Sequence, residues 1–129
     1  MSVAVQIPAA FGAGAFHLAQ AEVPSGQPIE LFEVLIDQVG TEAWLRFRFH
    51  APHIGRGEGD ITFDQSEADF MVLCQAVAIP YMREFDLVAD KVVVSLSNQP
   101  IEFGQSDPDV TQFIEAFQVA NDSCIWDGF

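Results

Sequence analysis

The stretch from Ala43 to His50 (AWLRFRFH) limits what this chain can fold into more than any other. It alternates without interruption. Trp44, Arg46, Arg48 and His50 fall on one side, and Ala43, Leu45, Phe47 and Phe49 on the other. Successive side chains of a β-strand point to opposite faces, so the octapeptide reads as a strand with a greasy inner face and a cationic-aromatic outer one. That outer face holds two of the five Lys and Arg residues in the chain.

The neighbouring segments build outward from this strand. Residues 29–37 (IELFEVLID) read as a preceding strand whose inward face the pattern does not assign, and Val39-Gly40-Thr41-Glu42 supplies the turn of an antiparallel hairpin. Residues 51–60, with Pro52, Gly55, Gly57 and Gly59, form a loop. Ile61-Thr62-Phe63 is either a short strand or the entry to a helix. Ser66 followed by Asp69 has the form of an N-cap, and Phe70, Leu73, Cys74 and Val77 recur at helical spacing. These predict a helix over 66–78, which Pro80 ends or kinks through its restriction on Ile79. Residues 92–97 (VVVSLS) suit a central strand. Residues 110–119 fit a helix through Val110, Phe113, Ile114 and Phe117, or a strand through Phe113, Glu115, Phe117 and Val119. A hairpin turn at Asn121-Asp122, leading to Cys124-Ile125-Trp126, favours the strand. The expected architecture is α+β: a single antiparallel sheet of about five to six strands packed against one principal helix.

Charge narrows the function classes. Five basic against 19 acidic residues give a net charge of −14. A surface of that sign repels phosphate backbones and anionic membranes, so direct nucleic-acid binding is not expected. Acidity of this kind keeps a protein soluble; read more sharply, it mimics nucleic acid and blocks a protein that binds it. The acids are scattered rather than set in rows, which favours the former.

The first 21 residues carry no charge at all, and Ala19-Gln20-Ala21 has the form of a signal-peptidase site ahead of Glu22-Val23-Pro24-Ser25-Gly26. Residues 1–21 therefore read as a signal peptide lacking its basic start, or as an apolar N-terminal arm, with 22–129 as one α+β domain. Cleavage implies a periplasmic or secreted protein; retention implies a cytoplasmic one. No stretch reaches the roughly 20 apolar residues that span a bilayer, so no transmembrane anchor is expected. The two cysteines, Cys74 and Cys124, would close a loop of about 50 residues if bonded. An oxidising compartment permits that bond and a cytosolic one leaves two buried thiols.

Motifs for chemistry are weak. His50 and His53, with Glu58 and Asp60 downstream, could supply metal ligands but match no ligand spacing. Gly55-Arg56-Gly57-Glu58-Gly59 lacks the Lys-Ser/Thr of a phosphate loop. Asp60, Asp64, Glu67 and Asp69 lack the alternation and central glycine of a calcium loop. No nucleophile elbow occurs, so no catalytic residue and no cofactor are assigned. Arg46 and Arg48 are the feature that stands out. Two residues apart, they emerge about 7 Å from each other on one face. They either pair with cross-strand acids such as Glu30 or Glu33, or join Trp44 and His50 in a partner-binding patch.

Several segments together, VPSGQP, WLRFRFHAP, ADFMVLC, IPYM, VVVSLSNQPIEFGQSDPD, TQFIEAF and SCIWDGF, resemble a small family of uncharacterised, usually exported alphaproteobacterial proteins. The resemblance spans residues 23–129. Both cysteines lie in matching segments, which implies a structural bridge; no activity is implied. The leading expectation is a small exported protein with a protein-binding or accessory role and an unidentified protein partner. The alternatives are a cytosolic acidic inhibitor that mimics nucleic acid, and an unrecognised enzyme or metal-binding protein.

Overall fold

Alternation, turn chemistry and one helical period suffice to place most elements, and a computed structural model shows how they assemble. It describes residues 3–7, 20–55 and 59–127. The strands are β1 (Val3–Ile7), β2 (Gln20–Ala21), β3 (Ile29–Val39), β4 (Glu42–His50), β5 (Lys91–Ser97), β6 (Gln112–Ala120) and β7 (Ser123–Trp126). They form one sheet in the order β1-β3-β4-β5-β6-β7, with β2 also pairing β3. The fold is α+β with a single sheet and one principal helix.

The hairpin of β3 and β4 turns at Gly40, whose φ of +61° suits glycine at the start of a two-residue loop. A register shift between Leu31 and Glu33 explains why β3 resists assignment by parity. Ile29 and Leu31 face the core before this bulge, Val34 and Ile36 after it, and Phe32 is the extra residue turned to the outer face. On the far side, Asn121 and Asp122, with φ of +53° and +60°, join β6 to β7 as the sequence predicts.

The all-antiparallel expectation is corrected at the centre of the sheet, where β4 and β5 run parallel, Trp44 opposite Lys91 through His50 opposite Ser97. Parallel neighbours need a long crossover, and the helix between them is that crossover. The five strands β3 to β7 make the body of the sheet, and β1 and β2 add to its β3 edge.

The helix begins earlier and ends later than its periodicity suggests. Its N-cap is Thr62, in a capping box with Gln65, rather than Ser66. Ser66 instead donates to the Thr62 carbonyl from inside the first turns. From Phe63–Leu73 (α1) the chain passes through a π-helical segment, Cys74–Ala78, into Ile79–Glu84 (α2). Pro80 does not end the helix. A proline lacks an N–H and crowds the preceding turn; the wider π turn just before it, closed by Ile79 N–H to the Cys74 carbonyl, makes room.

The core lies between this helix and one face of the sheet. Leu45, Phe47 and Phe49 of β4 join Val92, Val94 and Leu96 of β5 and Phe117 of β6 against Phe70, Leu73, Val77 and Tyr81. Phe47 meets the Tyr81 ring edge-on at 5.4 Å. Burial pushes the Tyr81 phenol up to about 12. A disulfide between Cys74 and Cys124, with Cα atoms 6.2 Å apart, ties the helix to the last strand. The Cys124 N–H also donates to Gln75 Oε1. Among the described residues no helix is long and apolar enough to cross a membrane.

Candidate functional site

With one face of the sheet buried, residues of opposite parity form a second face that the helix does not touch. Cross-strand register assembles it: Glu33 lies opposite Arg48, Arg48 beside Ser95, and Ser95 opposite Ile114. One row over, Arg46 lies beside Val93. The loop from Asn98 to Thr111 folds across this floor. Its base is closed by Asn98 and Thr111, through Asn98 N–H to the Thr111 carbonyl and Thr111 N–H to Asn98 Oδ1.

The arginines organise the face. Arg48 is only 5% exposed; its guanidinium donates to the Glu33 carboxylate and to the Ile101 carbonyl, which fastens the loop to the sheet. Arg46 Nε donates to Asp37 Oδ2 at 2.8 Å, a diagonal partner two residues along β3. Asp37 is 1% exposed, so Arg46 provides the charge that makes its burial tolerable. Cross-strand pairing thus holds for Glu33, whereas Glu30 lies opposite His50 and Asp37 takes its place beside Arg46.

Aromatic rings alternate with the cations. The Arg46 Cζ lies 5.4 Å from the Trp44 ring and 5.2 Å from Phe103; the Arg48 Cζ lies 5.0 Å from Phe32 and 5.9 Å from Phe103. Lys91 Nζ, paired with Asp127 at 3.0 Å, lies over the Trp44 ring, 5.0 Å from its centroid. Such contacts stabilise by about 0.5–1 kcal/mol each where water has access. Phe103, shared by both arginines, is the tip by which the loop is held down.

A cavity of about 230 Å³ lies under this tip, lined by Arg46, Arg48, Val93, Ser95, Gln112 and Ile114 on the floor and Glu102 to Gln105 as roof. Arg46 uses Nε alone for Asp37, and neither terminal nitrogen makes a hydrogen bond among the described residues.

Of the residues expected in a binding patch, Trp44 and Arg46 are half-buried and Arg48 is buried. His50 Nε2 lies 3.1 Å from the Asn98 carbonyl at the loop base. His53 sits in the turn after β4, against Gly59; Glu58 and Arg56 lie outside the described residues. No group of three or more His, Cys, Asp or Glu among the described residues is placed to hold a metal ion. Asp69, weighed with Asp60, Asp64 and Glu67 as a calcium ligand, turns inward instead. Fully buried, it accepts from Ser25 N–H at 2.9 Å, Ser25 Oγ at 2.6 Å and Gln27 Nε2 at 2.9 Å, clamping the chain after residue 22 onto the helix.

A family model described as a family of unknown function, DUF6497, matches residues 5–129. The chain belongs to this family. No curated protein and no solved structure matches it. What sequence reasoning misses in this DUF6497 chain are the partners of the arginines: Phe32, Asp37, Ile101 and Phe103. Phe103, between Glu102 and Gly104, carries a weak signal as a lone aromatic in a polar loop; Phe32 carries none, because only the bulge sends it outward.

Proposed function

We propose that this DUF6497 protein is an exported, disulfide-linked accessory module that binds another protein through the helix-free face of its sheet. The observation that carries the reading is the surface around the Trp44–Arg46–Phe103 stack. Phe103 lies over Arg46 and Ile114 lines the same cavity; they are 37% and 41% exposed on a protein of net charge −14. Aromatic and arginine side chains set together are what interface anchors are made of. The bridge between Cys74 and Cys124 supports an oxidising compartment, as does the uncharged segment ending in Ala19-Gln20-Ala21.

Two measurements test this. Protein isolated from its native host should have lost residues 1–21, and β1 and β2 with them, and be 2 Da lighter than the reduced form of the remaining chain; full length with free thiols overturns export. A photo-crosslinking residue at Ile114 should capture one defined protein, while the same residue at Glu84, on the helix side, should not. Phe103→Arg, introduced beside the crosslinking residue at position 114, should abolish that capture without altering the fold. Equal capture from both positions, or none, overturns the binding face.

A further inference from the structure

The geometry points to the cavity beneath Phe103 as a binding site for a small amphipathic carboxylic acid, a monoanion with a short aryl or alkyl body. The inference concerns the cavity rather than its rim, and stands whether or not a protein docks over it.

The chemistry follows from which groups the fold leaves unspent. Arg48 has one terminal nitrogen engaged by Glu33 and the other by the Ile101 carbonyl. Arg46 is held by Asp37 through Nε and stacked between Trp44 and Phe103. Its orientation is therefore fixed from two sides, while both terminal nitrogens are left as a fork, the geometry that pairs with a carboxylate. Val93, Ile114 and the Phe103 ring offer apolar wall, and the Ser95 hydroxyl with the Gln105 and Gln112 amides adds polar groups that make no side-chain hydrogen bond among the described residues. Apolar wall combined with a few convergent polar groups is the usual make-up of a small-molecule site.

Charge decides against larger anions. Glu102 lines the same cavity, and Asp37 and Glu33 stand behind the arginines. A phosphate dianion meets that field with twice the repulsion and gains nothing from the apolar wall. A volume of about 230 Å³ likewise limits the ligand to a small acid.

The test compares benzoate, 3-phenylpropionate and hexanoate, each with its neutral amide, and inorganic phosphate. It is read by the ¹H–¹⁵N signals of the arginine Nε groups and by calorimetry. At least one acid should bind saturably, shift the Arg46 signal, and bind at least ten-fold tighter than its amide; phosphate should bind no tighter than that acid. Arg46→Lys keeps a charge beside Asp37 but loses the fork, and should weaken the acid at least ten-fold with an unchanged circular-dichroism spectrum. No saturable binding by any of the three acids, equal binding of acid and amide, tighter binding of phosphate, or an undiminished Arg46→Lys protein each overturns the assignment.

Discussion

Reducing the Cys74–Cys124 bond should cost this fold a substantial part of its stability margin. The bridge spans a sequence separation of 50, and closing a loop of that length removes about 14 cal/mol/K from the unfolded chain, or ~4 kcal/mol at 25 °C. Unfolding entropy of about 2.1 cal/mol/K per residue, over 129 residues, converts this to a fall in Tm of roughly 15 °C. The location argues against a smaller effect. β7 is four residues long, at the sheet edge, and its only covalent tie to the helix is this bond. Differential scanning calorimetry of the oxidised protein, the protein in a phosphine reductant, and Cys74→Ala/Cys124→Ala measures it. The reduced and doubly substituted proteins should agree within ~1 kcal/mol, both well below the oxidised form. A Tm loss under about 4 °C in both would refute the loop-closure reasoning, and would mean that packing of Phe117 on Trp126, with ring centroids 4.6 Å apart, holds β7 by itself.

Asp69 and Glu115 give two further expectations. Asp69→Asn puts an amide NH₂ where Ser25 N–H, Ser25 Oγ and Gln27 Nε2 need an acceptor; it should cost about 2–3 kcal/mol in urea unfolding, and Asp69→Ala at least as much. A change within 0.5 kcal/mol for both would show that the clamp on residues 25–27 is dispensable. Burial, and secondly the charge of Glu67, raise the Glu115 carboxyl above its ordinary 4.5. The folded state then holds that proton more tightly than the unfolded chain, so stability from this group is full below pH 4.5 and is lost as pH rises through the folded value. Glu115→Gln should therefore stabilise at pH 7 and make no difference at pH 4, and a stability profile with the opposite slope would sink the assignment.

Much of the fold was legible because its signals are local. Period-two alternation in residues 43–50 fixes both faces of β4 from the chain alone, since neighbouring side chains of a strand must diverge. The Asn121-Asp122 turn resolves the helix-or-strand ambiguity of residues 110–119 in the same way, because few residues accept positive φ. The helix was legible in its middle, through Phe70, Leu73 and Val77, but not at its ends. Thr62 competes with Ser66 as cap, and the π turn that admits Pro80 leaves no mark in the spacing.

What remained was decided by tertiary structure, for one physical reason. Strand order, the parallel pairing of β4 with β5, and the company of Arg46 and Arg48 depend on where segments far apart in sequence are returned by the helix and by the loop 98–111. The sequence by itself determined that two guanidinium groups emerge together on a face away from the core. Only the folded chain decided that one is spent on Glu33 and Ile101, while the other is held by Asp37 and two rings with its terminal nitrogens open.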